Sequence, residues 1–155
     1  MILILAVGQK QPTWVNTACS DYLDRFTADY RVALKEIKAE PRSAGKTVST
    51  MKALEAERIE ANLPKDCVRI ALDERGKALT TAEFSKFLES LKDQGRDAAF
   101  IIGGPDGIDD TLKADCHHQI RLSSMTLPHG LARVLLAEQI YRAWSLMNNH
   151  PYHRA

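Results

Sequence analysis

Short apolar runs recur along the chain at intervals that predict the strands of a β-sheet. Ile2 to Val7 and Ala98 to Ile102 are continuously apolar, which is typical of strands covered on both faces. Val68 to Leu72 is a similar run, and Gln119 to Leu122 predicts a shorter strand. Arg31 to Lys38 alternates only weakly and predicts a strand near the sheet edge. The pattern therefore predicts five strands.

Apolar residues at helical spacing fill the segments between these strands. The predicted helices lie, in chain order, at Thr13 to Phe26, Val48 to Ile59, Phe84 to Leu91, Asp109 to Cys116 and Leu131 to Met147. Thr80 and Glu83 form a capping box before the third helix, and Gly95 is placed to end it in the left-handed conformation. Because strands and helices alternate, the sequence predicts an α/β fold with a mostly parallel sheet and helices on both faces.

Composition narrows the class of protein. The chain has 155 residues, 45% hydrophobic and 26% charged, with a net charge of +1. This length favours one domain over residues 1–155, and the near-neutral charge confines any RNA site to a local patch. No apolar run approaches the ~20 residues that cross a bilayer, and the opening run lacks the basic start of a secretory signal. Three widely spaced cysteines favour a reducing cytoplasm over a disulfide framework.

Ligands of parallel α/β sheets bind beyond the carboxyl ends of the strands, where the turns collect. The turns after Leu72, Ile102 and Leu122 are therefore the candidate ligand-binding segments. The first is predicted to be a tight turn over Asp73 to Gly76. The second, Gly103 to Gly107, holds three glycines that let backbone N–H groups approach a ligand, although a plain tight turn has the same composition. Its spacing matches neither a dinucleotide fingerprint nor a P-loop.

The third turn and the C-terminal segment carry the remaining candidate chemistry. Leu122 to His129 can line a pocket for an amphipathic ligand, or Thr126 within it can cap the last helix. Asn148 to Ala155 holds two histidines, a tyrosine and an arginine. With His129, Arg133 and Arg142 it forms a basic and aromatic patch suited to phosphate and base contacts; the alternative is a solvated tail.

Metal and thiol chemistry are not expected. His117 and His118 are adjacent and diverge on a helix, and His150 with His153 lacks a nearby acidic or cysteine partner. Each cysteine falls on an apolar face or at a strand end, where a buried small hydrophobe is the expected role.

In order and spacing, these segments resemble the ribosomal RNA large subunit methyltransferase H family, small SPOUT-class enzymes that methylate N3 of a pseudouridine in 23S ribosomal RNA. The resemblance is carried by Leu5 to Gly8, Ile102 to Gly107, Leu122 to His129, Arg133 with Val134, Tyr141 to Trp144 and Asn149 to Arg154. It is collinear over essentially the whole chain. Gly130, which follows the proline–histidine pair, has the freedom to loosen the first turn of the last helix.

The resemblance implies a C-terminal trefoil knot that brings the three turns together as one pocket for S-adenosylmethionine. It implies that the cofactor is held by Leu72, Gly103, Gly104, Leu122, Ser123, Ser124, Met125, Thr126 and Leu127. It also implies a homodimer in which the tail of one chain reaches the cofactor site of its partner. The implied substrate is 23S ribosomal RNA within the assembled ribosome.

Residue chemistry then points to the tail and the last helix for catalysis. The candidate residues are His129, Arg142, Tyr152, His153 and Arg154. His153 is suited to accept the N3 proton, an arginine to stabilise the anionic base or bind phosphate, and Tyr152 to stack.

Two alternatives remain. One is a non-catalytic ribosome-binding module of the same fold, against which the intact Gly103, Gly104 and tail weigh. The other is a doubly wound domain for a flavin or dinucleotide, disfavoured by the missing glycine fingerprints and acidic ribose partner.

Overall fold

The computed structural model describes residues 1–42 and 45–154. The strands in these residues are β1 (Ile2–Val7), β2 (Val32–Ile37), β3 (Val68–Ala78), β4 (Ala98–Ile102) and β5 (His118–Arg121). The helices are α1 (Thr13–Leu23), α2 (Val48–Asn62), α3 (Thr81–Asp93), α4 (Asp110–Ala114) and α5 (His129–Met147), and a 3-10 helix (Pro151–Arg154) follows. The strands form one sheet in the order β2-β1-β4-β3-β5, and every neighbouring pair is parallel.

Alternate residues of the central strands pack into two separate cores. On β1, Ile2 and Ile4 join the core built with α3 and α5, while Leu3 and Leu5 join the core built with α2 and α4. This is why the central strands are continuously apolar rather than alternating. The predicted α/β fold, with helices on both faces of the sheet, is confirmed.

The ends of α3 form as the sequence predicts. Glu83 N donates to Thr80 Oγ1 over 3.1 Å, and Thr80 N donates to Glu83 Oε1 over 2.9 Å. Gly95 has φ +66°, and Arg96 N donates to the Leu91 carbonyl over 2.9 Å, which completes a Schellman motif. Both caps depend on local residue types, so pattern analysis finds them.

The tight turn predicted after Leu72 is wrong, because β3 continues to Ala78. Leu72 and Lys77 both pair with Ile120 of β5, so the residues between them bulge out of the ladder. A Cβ at Gly76 would lie 2.6 Å from the Ile120 backbone, and only glycine permits this approach. Pairing with a strand that lies far along the chain therefore overrides the local turn composition.

The last helix begins two residues before its predicted start. Its N-cap is Pro128, without a side-chain cap, so the capping role considered for Thr126 is wrong. Gly130 lies within the first turn, and a Cβ there would come within 2.8 Å of Val15 Cγ2 on α1. Gly130 therefore permits the close packing of α5 on α1 rather than loosening the helix.

The C-terminal segment folds back on the last helix. Pro151–Arg154 packs against α5 with Tyr152 and His153 half-buried and Arg154 exposed, so the tail is ordered on the helix and only part of its surface is solvated; Ala155 lies outside the described residues. In the part of the chain that the structure describes, no helix is both long and apolar enough to span a membrane.

Candidate active site

A cavity of about 610 Å³ opens at the carboxyl ends of β3, β4 and β5. This volume lies within the range of small-molecule sites. Eight of the residues predicted to hold a cofactor line it: Leu72, Gly103, Gly104, Leu122, Ser123, Met125, Thr126 and Leu127. Ser124 lies in the same loop but is not among the lining residues. The three turns selected from the sequence thus meet at one site.

The glycine segment is both a tight turn and a wall of the cavity. Gly107 N donates to the Gly104 carbonyl over 3.0 Å, with Pro105 and Asp106 at the corner and Gly107 at φ +85°. A Cβ at Gly103 would lie 2.6 Å from the Gly107 carbonyl carbon. The turn therefore closes on its own backbone, and a side chain at position 103 would force it open.

Charged side chains of both signs also line the cavity, and sequence reasoning did not assign them. They are Lys52, Asp73, Glu74, Arg75, Asp106, Lys113 and Arg121. Lys113 Nζ lies 3.7 Å from Asp73 Oδ2, which joins α4 to the bulge of β3. The acidic and basic residues at 73–75 were visible after a strand, but the bulge that turns them toward the cavity depends on pairing with β5.

His129 begins α5 at the edge of the cavity. Its Nδ1 lies 3.0 Å from the Gly103 carbonyl oxygen, and Arg133 Nε donates to its Nε2 over 2.8 Å. Because a guanidinium can only donate, Nε2 must be the unprotonated nitrogen and Nδ1–H donates to Gly103. Burial and the charge of Arg133 lower the pKa of His129. The imidazole is therefore neutral, with both nitrogens engaged.

Arg133 is buried and is not part of an accessible basic patch, contrary to the sequence expectation. Its side chain is 1% exposed. Besides His129, it donates from Nη1 to Glu36 Oε2 and from Nη2 to the Gly8 carbonyl, each over 2.7 Å. The guanidinium thus ties α5 to β2 and to the end of β1.

A second group of side chains, the tail cluster, consists of Glu138 and Arg142 on α5 and Tyr152 of the C-terminal 3-10 helix. Tyr152 donates from its hydroxyl to Glu138 Oε2 over 2.8 Å, and Arg142 Nε donates to the same oxygen over 3.0 Å. The Arg142 guanidinium lies 5.0 Å from the centre of the Tyr152 ring. Burial raises the pKa of Tyr152, and the hydrogen bond that its hydroxyl donates to the Glu138 carboxylate raises it further. Sequence reasoning missed Glu138, although its spacing of four residues from Arg142 was a usable signal.

His153 is held by a buried serine. The Ser145 hydroxyl donates to the His150 carbonyl over 2.8 Å, and Ser145 Oγ lies 2.9 Å from His153 Nδ1. Because that hydroxyl proton is already used, Nδ1 must donate to Oγ, so Nε2 is the ring nitrogen that can accept a proton. Nε2 has no hydrogen-bond partner within residues 1–42 and 45–154.

One chain does not bring all five candidate catalytic residues together. His129 lines the cavity, whereas Arg142, Tyr152, His153 and Arg154 do not. Arg142 follows His129 by thirteen positions on α5, which places it about 20 Å further along the helix axis at 1.5 Å per residue. The cavity and the tail cluster are therefore separate sites within a single chain.

The cysteines are buried or half-buried thiols. Burial raises the pKa of Cys19 and Cys67, and raises that of Cys116 to about 11. At neutral pH they are protonated and therefore weak nucleophiles. Within the described residues no group of three or more histidine, cysteine or acidic side chains converges as metal ligands.

Comparison with known proteins agrees with this architecture. A family model described as "Predicted SPOUT methyltransferase" matches residues 1–153. A probable methylase family protein from Haemophilus influenzae has a similar fold, with a TM-score of 0.59 and 17% identity over 97% of this chain and 69% of its own.

Closer relatives are named ribosomal RNA large subunit methyltransferase H. The protein from Bordetella avium is 57% identical over 154 residues, which cover 99% of each chain. The protein from Methylibium petroleiphilum is 56% identical over 153 residues, covering 99% of this chain and 98% of its own. Identity at this level over nearly the whole chain confirms the resemblance to this family. The chain belongs to the ribosomal RNA large subunit methyltransferase H family of SPOUT methyltransferases, and this membership implies the C-terminal trefoil knot.

Proposed function

We propose that this protein is an S-adenosylmethionine-dependent methyltransferase that methylates N3 of a pseudouridine in 23S ribosomal RNA within the assembled ribosome. The observation that carries the proposal is the cavity in which the turns after β4 and β5 meet, lined by eight predicted cofactor residues. The names of the relatives support large-subunit ribosomal RNA as the target. Residues 1–155 are proposed to act as one domain in the cytoplasm, where ribosomes are found.

The cavity residues fit the proposed cofactor. Leu72, Leu122 and Leu127 offer apolar walls for an adenine ring, and backbone groups of the two loops can pair with its polar edge. Charged side chains of both signs at the mouth, Asp73 and Lys113 among them, suit the ammonium and carboxylate of its amino-acid end. When bound, S-adenosylmethionine supplies a methyl group activated by its sulfonium.

The acceptor nitrogen needs a proton acceptor. N3 of pseudouridine is an imide nitrogen, and it becomes nucleophilic once its proton leaves. His153 is the best placed of the candidate residues, because Ser145 holds its protonated Nδ1 and leaves the Nε2 lone pair available. His129 is less suited, since both its ring nitrogens are already bonded.

The charged and aromatic groups of the tail would bind and orient the base. Arg142 and Arg154 carry the positive charge that stabilises an anionic base or grips phosphate. Tyr152 presents a ring on which a base can stack, and its bond to Glu138 holds the ring in place. Positioning of the two reactants contributes much of the rate in such a reaction.

A homodimer completes the site in this proposal. The tail cluster lies too far along α5 to serve the cavity of its own chain, so the tail of one protomer is proposed to reach the cavity of its partner. In this proposal a single protomer does not methylate RNA.

Methyl transfer to purified ribosomes tests the proposed function. The protein is incubated with methyl-labelled S-adenosylmethionine and ribosomes from cells that lack this gene, and the label is mapped by mass spectrometry. We expect label on N3 of one 23S pseudouridine, and much less on naked 23S RNA because the ribosome supplies shape and contacts. Ribosome binding without transfer would instead favour the non-catalytic module.

Variants of the tail test the assignment of roles. His153→Ala and Arg154→Ala are expected to lower turnover strongly while cofactor binding is retained. His117→Ala is the matched control, because His117 accepts a bond from Arg69 N outside both sites. Full turnover and full ribosome affinity in both tail variants would refute the proposed role of the tail.

A further inference from the structure

Three distant segments converge on the first two turns of α5. Gly8 lies at the end of β1, Glu36 lies on β2, and Gly103 follows β4. Arg133 reaches Gly8 and Glu36, and His129 reaches Gly103. These contacts span 97, 125 and 26 positions in sequence, so they belong to the tertiary structure and not to a local motif.

The buried guanidinium has no freedom to exchange partners. Three of its nitrogens are committed, Nε to His129, Nη1 to Glu36 and Nη2 to the Gly8 carbonyl. Its fork geometry is rigid, and turning it would leave a charge buried without partners. Arg133 therefore presents an N–H donor to His129 Nε2 at a set place.

This donor determines which nitrogen of His129 carries the proton. With Nε2 accepting from Arg133, the only proton of the neutral ring is on Nδ1, and it faces the Gly103 carbonyl. A second proton would have to enter between Nε2 and the guanidinium, where two positive charges would meet. The charged groups that act on the ring are Arg133 on α5 and Glu36 on β2, and the protonated Cys19 thiol on α1 lies near those two charges.

We propose that His129 is a positioning residue that holds the Gly103 carbonyl, and with it the glycine turn, in the shape that binds the cofactor, and that it exchanges no proton during methyl transfer. Gly103 has little freedom of its own, because the turn to Gly107 closes directly on its Cα. A bond to its carbonyl thus sets the orientation of the following peptide, which forms the cavity wall. The inference rests on the proposed function of that cavity.

Two substitutions at one position separate this role from proton transfer. His129→Ala removes the bond to Gly103, whereas His129→Asn places an amide N–H close to where Nδ1–H stands but cannot titrate. We expect His129→Ala to weaken S-adenosylmethionine binding about five- to tenfold by calorimetry, the loss of one buried hydrogen bond. His129→Asn should recover most of that affinity. On ribosomes, the loss in His129→Ala should appear mainly in the Michaelis constant for S-adenosylmethionine, and the pH at which the saturated rate changes should be the same in both variants as in the unmodified protein.

Three results would contradict the inference about His129, and each is distinguishable from the others. A large loss of turnover at saturating cofactor in His129→Asn, with a changed pH profile, would show that His129 transfers a proton and overturn the inference. Unchanged cofactor affinity in both variants would also overturn it, while leaving the proposed function intact. If the unmodified protein bound no S-adenosylmethionine, the proposed function would fail, and the inference with it. Circular dichroism of each variant, with His117→Ala as a control, verifies that the variants are folded.

Discussion

Gly103 is the residue at which the shape of the cavity is most directly constrained. Its Cα faces the backbone of Gly107 across the turn, so closely that a Cβ would lie 2.6 Å from a carbonyl carbon. Backbone cannot yield as a flexible side chain can. Any residue with a Cβ at this position must therefore open the turn that Gly107 closes on Gly104.

Replacing Gly103 by alanine should damage both cofactor binding and folding. We expect Gly103→Ala to weaken S-adenosylmethionine binding by about tenfold or more and to lower the free energy of unfolding by roughly 1–3 kcal/mol, the usual cost of overpacking. Calorimetry and urea unfolding measure the two effects. Gly95→Ala is the matched control: its φ of +66° makes alanine cost about 1 kcal/mol, but it ends α3 away from the cavity. Equal cofactor affinity in the two variants would contradict the argument.

His129 should make the stability of the protein depend on pH. Burial and Arg133 lower its pKa below the ordinary value of 6.5, so in acid the unfolded chain binds a proton that the folded chain excludes. The stability associated with neutral His129 is fully present above that ordinary value and is lost as the pH falls below it. Asparagine does not titrate, so His129→Asn lacks this pH-dependent contribution to the free energy of unfolding. Urea unfolding at pH about 7.5 and about 5.5 should therefore show a smaller loss for the variant; equal losses would exclude a lowered pKa.

Arg42, which lies after β2, connects the glycine turn to α2 through ion pairs. Arg42 donates from Nη1 to Glu55 Oε2 over 2.8 Å, and its Nε lies 3.0 Å from Asp106 Oδ2 at the corner of the turn. The Glu55 side chain is 3% exposed, and its Oε1 has no hydrogen-bond partner among the described residues. A Cβ at Gly104 would lie 3.4 Å from that oxygen. Glu55 of α2 therefore packs against the glycine turn, and Arg42 joins the two through its ion pairs with Glu55 and Asp106.

Removing Arg42 should loosen the turn and leave a buried charge. We expect Arg42→Ala to lower the free energy of unfolding by roughly 1–3 kcal/mol, because the Glu55 carboxylate loses its ionic partner, and to weaken cofactor binding several-fold. Adding Glu55→Gln removes that charge and should recover part of the stability but not the affinity. Arg69→Ala, which breaks a half-exposed pair with Glu60, should cost less than about 1 kcal/mol. Urea unfolding curves and calorimetry measure the two effects. If Arg42→Ala lost no more stability and no more cofactor affinity than Arg69→Ala, Arg42 would not hold the glycine turn in place.

At the scale of the whole molecule, α5 joins two sites that one chain keeps apart. Its first turns line the cavity, and its last turns carry the tail cluster about 20 Å further along the axis. In the proposed two-fold dimer the tail of each chain meets the cavity of the other, because a contact of residue i with residue j in such a dimer is repeated as a contact of j with i. The proposed reaction requires that arrangement.

Mixing two impaired variants tests the shared site. Gly103→Ala weakens the cavity and Arg154→Ala weakens the tail, so at a limiting S-adenosylmethionine concentration each homodimer should be nearly inactive. In a heterodimer one of the two composite sites keeps both intact parts. After random exchange of subunits, about a quarter of the unmodified activity should return on ribosomes. A mixture that stays inactive, although light scattering or labelled subunits show exchange, would argue that cavity and tail of one chain act together.

Local patterns account for most of the elements and for the loops of the candidate site. Continuous apolar runs mark β1 and β4 because both faces of these strands are buried, and caps such as Thr80 act within one turn of helix. The contacts around His129 could not be predicted from local sequence patterns. Arg133 is placed by partners 97 and 125 positions away, and on the sequence alone it is indistinguishable from a surface arginine. The bulge of β3 could not be predicted for the same reason, because it depends on pairing with Ile120, which lies far along the chain.

By itself the sequence determined the α/β class, the order of the elements and the three segments that line the cavity, because hydrophobic periodicity, caps and glycine-rich turns act between residues close in the chain. The tertiary structure alone decided that Arg133 is buried, that both nitrogens of His129 are engaged and that Gly76 and Gly130 serve close packing. It also decided that the cavity and the tail lie apart. These properties depend on burial and on partners that only the folded chain brings within hydrogen-bonding distance.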